Sequence, residues 1–255
     1  MGGPFIVSLS GGKDSTAMLL MMMARQEPIH SVAFFDTGWE FPELLAHVSK
    51  LRAIVHRAGI PFVVLRPRLP FNHWLHEREI VARRGKNKGR VHRIGNGWPS
   101  ASRRWCTRQK ADSLDAFARA TGWLPVCIGY GSDEAHRVGR ANMVLRMAAG
   151  SVRFPLMEWG ITEAEALAYC RAKGFDWGGL YGLFDRVSCF CCPLQGVGDL
   201  RKVRRHRPAI WARMLEMDGL IQGNRGFGKD ATLHDYEARF AEEDRQLELW
   251  AKGAA

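Results

Sequence analysis

Short apolar runs alternate along most of the chain with longer stretches whose apolar residues recur at helical spacing. Phe5-Ile6-Val7-Ser8-Leu9 is such a run; it stops at a glycine pair, and a helix-like stretch follows from Ser15 to Arg25. The pattern returns with Ser31 to Phe35 before a helix over Pro42 to Ala58, and again with a third strand over Pro61 to Leu65. Within the first helix, Met21-Met22-Met23 reads as an apolar face packed on a sheet. From about Arg66 to Arg104 the alternation breaks. That stretch is rich in Arg, Lys, Gly, Asn and Pro and reads as a long basic loop or lid, with a short helix over Trp74 to Val81. A helix over Thr107 to Thr121 then leads to a strand over Leu124 to Tyr130, and Ser151 to Pro155 is the last strand. Thr162 and Glu165 form a capping box that opens a helix running to Lys173. Two more helices are expected, over Pro208 to Met217 and Leu233 to Lys252; the second is acidic and reads as a solvated or docking helix.

Alternating strands and helices predict an α/β fold, a doubly wound and mostly parallel five-stranded sheet with a helical C-terminal extension. A chain of 255 residues suits one large domain with a small appendage. The boundary is expected near residue 195. Residues 1–195 then hold the α/β domain, with a basic loop at about 66–105 and a cysteine cluster at 189–192, and 196–255 form the extension.

Charge narrows the range of partners. With 37 basic and 26 acidic side chains the net charge is +11, which favours polyanions such as nucleotides or nucleic acid. The excess is clustered in Arg83, Arg84, Lys86, Lys88, Arg90 and Arg93, in Arg103, Arg104 and Arg108, and in the run from Arg201 to Arg207. Trp98 and Trp105 interleave with these cations and are candidates for stacking on bases. The longest apolar candidate for a membrane span, Ala17 to Ala24, is interrupted by Arg25 and Gln26, and the N-terminus lacks the regions of a signal peptide. A cytoplasmic protein without membrane contact is the expectation.

The glycine pair after the first strand points to phosphate chemistry. In Ser10-Gly11-Gly12-Lys13-Asp14-Ser15, glycines let backbone amides approach an anion and the following helix adds the positive end of its dipole. Lys13 supplies a cation, and Ser10 and Ser15 supply hydroxyl donors. The spacing is not that of a Walker loop. Six cysteines in such a chain suggest metal or redox chemistry rather than a disulfide framework. Cys127 and Cys170 have apolar neighbours and read as core thiols. Cys106, Cys189, Cys191 and Cys192 have polar, basic or turn-forming neighbours, and the Cys-x-x-Cys of 189–192 has metal-ligand spacing.

Ser10 to Ser15 resembles the PP-loop of ATP pyrophosphatases, and further segments narrow the resemblance to the phosphoadenosine phosphosulfate (PAPS) reductase family. These are Phe35-Asp36-Thr37-Gly38 with Phe41-Pro42-Glu43, Gly129 to Arg137, and Pro155-Leu156 followed by Trp159 and Thr162, in family order. The resemblance implies an adenine nucleotide alpha hydrolase-like fold that binds ATP, or PAPS or its unphosphorylated relative APS, at the carboxyl ends of parallel strands. It implies that Ser10, Gly11, Gly12, Lys13, Asp14, Ser15, Asp36, Thr37, Gly129, Glu134 and Arg137 bind the nucleotide. Lys13 and Asp14 would assist cleavage at the α phosphate, with Asp14 placing Mg²⁺. Some members hold a [4Fe-4S] cluster, which implies Cys106, Cys189 and Cys192 as ligands, with Cys191 as fourth ligand, catalytic thiol or spectator. Zinc and unrelated buried thiols are the alternatives. The upstream cysteine pair of those members is reduced here to Cys106 beside Trp105, and no cysteine follows Cys192, where reductases carry their redox-active thiol. The resulting expectation is an adenylating, sulfur-transferring enzyme acting on tRNA or DNA with a sulfur donor protein. A sulfonucleotide reductase and a non-catalytic subunit of a modification complex are the alternatives.

Overall fold

The computed structural model describes residues 3–100, 102–192, 194–223, 226–227 and 231–253. In chain order its elements begin with β1 (Phe5–Leu9), α1 (Lys13–Ala24), β2 (Ile29–Phe35), α2 (Pro42–Arg57) and β3 (Phe62–Leu65). A π-helical turn (His73–Glu77), β4 (Glu79–Val81), β5 (Val91–Ile94), α3 (Trp105–Ala120) and β6 (Val126–Ile128) follow. Then come α4 (Ala135–Val138), α5 (Ala141–Ala148), β7 (Val152–Arg153), α6 (Pro155–Glu158), α7 (Glu163–Ala172), α8 (Leu180–Leu183), α9 (Val197–His206), α10 (Pro208–Gly219) and α11 (Leu233–Gly253). The chain divides into two compact units, Met1–Pro67 with Arg108–Cys189, and Arg68–Thr107 with Phe190–Ala255.

The first unit is built on a five-stranded sheet in the order β3-β2-β1-β6-β7, with every pairing parallel. The five expected strands are all present. β1 lies at the centre, where Val7 pairs with Val32 on one side and Cys127 on the other. A parallel strand covered on both faces needs apolar side chains in both directions, and Ile6 and Val7 are fully buried. From β1 the chain first adds strands on one side and later on the other, which creates a topological switch point beside β1 where α/β folds bind ligands. Met18, Leu19 and Met22 of α1 are buried, and α7 lies against that helix. Cys127 and Cys170 are fully buried, and burial pushes each thiol up to about 12.

The second unit holds an antiparallel hairpin of β4 and β5 together with α9, α10 and α11. Here the structure corrects the expected helix over Trp74 to Val81. Helical hydrogen bonding stops at Glu77, and Ile80 and Val81 instead pair with Arg93 and Val91. Branched side chains prefer this pleated pairing to a helical turn. Helices at 135–148 and 197–206 went unforeseen. In the second, the arginines obscured the apolar stripe of Leu200 and Val203.

Trp98 is also corrected: it is 1% exposed and its Nε1 donates to Asp218 at 2.6 Å, so its ring belongs to the core and not to a base-stacking surface. The other Asp218 oxygen accepts the Leu233 amide at 2.9 Å, tying the segment around Trp98 to the start of α11. The acidic α11 docks on the basic α9. Arg201 pairs with Glu243 at 2.6 Å, and Arg204 pairs with Glu237 at 2.9 Å and with Asp244. Among the described residues no helix is long and apolar enough to cross a membrane.

One buried side chain of the first unit couples the fold to pH. His47 bonds Thr16 Oγ1 through Nε2 at 2.9 Å and packs between Phe175 and Trp177. Burial first, and then nearby Lys50, lower its pKa to about 4. Between pH 6.5 and about 4 the unfolded chain therefore binds a proton that the folded chain does not, so stability falls as pH falls through that window. Urea denaturation across this range is expected to show the fall, and His47→Gln should flatten it.

Candidate functional site

β1 ends at Leu9 and α1 begins at Lys13, so only Ser10, Gly11 and Gly12 make the turn. Gly11 has φ +81°, and a Cβ there would stand 2.9 Å from the Val48 side chain, so conformation and space both require glycine. The two serines brace the loop from inside. The Ser10 amide donates to Ser15 Oγ at 3.1 Å, the two hydroxyls are 3.0 Å apart, and Ser15 Oγ donates to the Gly12 carbonyl at 3.1 Å. From outside, Trp177 Nε1 donates to the Gly11 carbonyl at 2.7 Å, and Tyr181 accepts the Lys13 amide at 2.7 Å. The next amide on the helix, that of Asp14, has no acceptor among the described residues. An open amide at a helix start beside a lysine is an anion site in construction.

The far wall comes from β6 and the segment after it. Gly129 passes so close to α1 that a Cβ would lie 2.8 Å from the Ser15 amide nitrogen. Beyond it, Glu134 pairs with Arg137, whose guanidinium lies 3.9 Å over the Tyr130 ring, and Tyr130 stacks on Phe154 at 5.4 Å. Between these walls is a cleft of about 500 Å³ at the carboxyl ends of β1 and β6. Of the expected residues, Ser10, Gly12, Lys13, Asp14, Ser15, Gly129, Glu134 and Arg137 line it. Gly11, Asp36 and Thr37 do not. Asp36 accepts from the Gly38 amide at 3.0 Å and pairs with Arg66 at 3.0 Å, while Thr37 is buried and donates to Glu40 at 2.6 Å.

Charge is concentrated at the cleft floor. Lys13 is 8% exposed, with its Nζ 2.6 Å from Glu163 and 3.5 Å from Asp14. Burial opposes its charge, but the Glu163 hydrogen bond and the attraction of both carboxylates outweigh burial and raise its pKa. Asp14 is pushed up to about 6, first by burial and further by Glu163 and Glu134, against the pull of Lys13. Its Oδ1 is buried with no hydrogen-bond partner. A larger cavity of about 610 Å³ opens near the amino ends of β1, β6 and β7. Its lining is mainly apolar and includes neither the glycine loop nor Lys13, so the chemistry lies in the smaller cleft.

The cysteines fall in different settings. Cys189 lines the cleft, with its Sγ 3.6 Å from Thr37 Oγ1, 3.8 Å from Glu40 and 3.9 Å from Lys110 Nζ. In the second unit, Cys191 is 1% exposed, Cys192 is half-buried, and Cys106 stands on the first turn of α3. Among the described residues, no three Cys, His, Asp or Glu side chains stand together as ligands of one metal ion.

The phosphoadenosine phosphosulfate reductase domain matches residues 4–195, from the start of the central sheet to just past the Cys-x-x-Cys. The chain belongs to this family. It thereby belongs to the adenine nucleotide alpha hydrolase / PP-loop superfamily, and Ser10 to Ser15, which resembles the PP-loop, lies within the matched residues. The chain is also similar to an uncharacterized protein of Methanocaldococcus jannaschii, with 26% identity over 219 residues. That match covers 82% of this chain and 40% of the relative, so the chain spans about two fifths of the relative's length.

Sequence reasoning missed Glu163, Tyr181 and Trp177, which hold Lys13 and the PP-loop from more than 140 residues away. Glu163 sits beside the visible capping residue Thr162, but no local pattern relates it to Lys13. Its carboxylate accepts the Lys13 Nζ hydrogen bond at 2.6 Å. In Glu163→Gln, the Asp14 carboxyl is expected to titrate below the wild-type value of about 6 by carbon-detected NMR, because one of the charges raising it is gone. The same variant should bind an adenine nucleotide on the order of tenfold more tightly by calorimetry, since a charged competitor for Lys13 has been removed. Weaker binding would show that Glu163 helps to hold the nucleotide.

Proposed function

We propose that this PAPS reductase family protein binds ATP in the cleft, cleaves it between the α and β phosphates, and adenylates an acceptor atom of a nucleic acid to prepare it for sulfur transfer. The observation that carries the reading is the PP-loop floor: a glycine turn, the open Asp14 amide and the buried Lys13 ammonium within one helical turn. The acceptor atom attacks the α phosphorus, the bond to the bridging oxygen breaks, and pyrophosphate leaves with the added charge. Lys13 exchanges Glu163 for a pyrophosphate oxygen, and the amide and helix dipole hold the same charge. In this reading Arg137, held by Glu134 and Tyr130, faces the remainder of the nucleotide.

A magnesium ion fits this floor, because the buried Asp14 Oδ1 lacks a partner and a carboxylate is a hard oxygen donor. Asp14 would hold the ion, which would offset charge on the leaving pyrophosphate. Sulfur, in this proposal, comes from a separate donor protein.

Pyrophosphate release from ATP in the presence of nucleic acid is the direct test. Lys13→Ala is expected to lower it by about 10²–10³-fold, the cost typical of losing one preorganised charge-stabilising donor. Sulfite release from PAPS with thioredoxin, and no pyrophosphate from ATP, would replace this reading by the reductase. A metal group held by cysteine thiolates is a separate part of the proposal, and no step above runs through it. Anaerobically purified protein should carry iron and sulfide. Zinc alone would reassign the cysteines to a structural site, and absence of both would leave them as plain thiols.

A further inference from the structure

The two basic clusters of the second unit differ in how their charge is met. On α9, Arg201 and Arg204 are spent on Glu243, Glu237 and Asp244 of α11, and their charge is satisfied within the fold. The β4–β5 hairpin has no such counterweight. No acidic residue occurs between Glu79 and Asp112, and Arg83, Arg84, Lys86, Lys88 and Arg90 are exposed without an ion pair among the described residues.

The hairpin tip is nevertheless ordered. Ala82 donates to the Arg90 carbonyl at 3.0 Å, Gly89 donates to the Ala82 carbonyl at 2.9 Å, and Gly85 and Gly89 take left-handed φ of +76° and +84° to close the turn. Like charges are therefore held together in a fixed shape. At its base, Arg93 Nε is buried without a hydrogen-bond partner. Burial and then the neighbouring Arg103 lower the pKa of Arg93, an arrangement that a bound anion would relieve.

We infer that the β4–β5 hairpin is a nucleic-acid-binding arm that lies in the major groove of duplex DNA, with its cations against the flanking phosphates. A two-stranded ribbon is one of the few elements that the roughly 12 Å wide major groove of B-form DNA admits. The cations Arg83, Arg84, Lys86, Lys88 and Arg90 are grouped on the turn between the strands, where they can meet phosphates on both sides of the groove. The tip carries no aromatic or long apolar side chain of the kind that anchors a segment in lipid. The deep, narrow major groove of duplex RNA does not receive such a ribbon. The inference rests on the proposed reaction for the chemistry done on the acceptor, while binding itself is measured independently of nucleotide turnover.

The experiment uses the full chain and a fluorescent 20-base-pair DNA duplex titrated at several salt concentrations, beside a duplex RNA of the same sequence and phosphatidylserine vesicles. Lys86→Ser/Lys88→Ser/Arg90→Ser should weaken DNA binding by at least about tenfold near 0.1 M salt and make the log–log salt slope shallower by about 3, one unit for each lost phosphate contact. Arg205→Ser on α9 should leave both unchanged. ATP binding by the triple variant should match the wild type, which shows that the fold and cleft are intact. Unaltered DNA affinity and slope in the triple variant would overturn the inference. So would equal or tighter binding to duplex RNA, or binding to vesicles but not to DNA. DNA binding with no pyrophosphate release would sink the proposed reaction and leave the arm standing.

Discussion

The chain must leave the centre of a parallel sheet and enter a helix within three residues, and much of the first unit is arranged around that constraint. Gly11 alone can take the required left-handed conformation against Val48, and Gly129 alone lets the neighbouring strand end pass against the helix start. The turn leaves helix-end amides without internal partners, and Trp177, Tyr181, Ser10 and Ser15 are recruited to satisfy or brace the rest. What is left open, the Asp14 amide beside Lys13, is the part that can meet an anion. Scaffold and site are thus one feature: the geometry that permits a sharp strand-to-helix turn also concentrates positive potential at its mouth.

Lys13 is buried at that mouth and cannot stand alone there. Glu163 and Asp14 supply the counter-charge, and the three groups set one another's protonation. Under the proposed function, a ligand bearing phosphates enters by exchange, taking over Lys13 and leaving a carboxylate to be met by something else. The unpartnered Asp14 oxygen belongs to the same balance. Cleft, lysine and acids therefore work as a single electrostatic device whose resting state is neutralised by the protein itself.

The second unit resolves its charge in two opposite ways. On α9 and α11, sequence-distant basic and acidic runs cancel each other and serve to hold helices together. The hairpin keeps a basic run over 83–90 whose cations make no ion pair among the described residues, held together in an ordered turn. The same composition thus has structural meaning in one place and points to an outside partner in the other.

The sequence by itself determined the five parallel strands, the PP-loop and the membership in the PAPS reductase family, because these rest on local signals: apolar runs, helical spacing, glycine placement and short motifs. The family resemblance also named eight of the residues that line the cleft. Pattern reading failed where the decisive partner is remote. Glu163, Tyr181 and Trp177 meet Lys13 and the loop only through the fold, Trp98 is core with Asp218 beside it, and Arg201 and Arg204 of α9 are paired by a helix more than 30 residues on. The basic loop became a hairpin because Val81 and Ile80 found partners in β5, a pairing that no helical count over 74–81 contains. Local propensity decides which elements form, but which charges are satisfied, and which are left for a ligand, depends on distances between elements that only the tertiary structure sets.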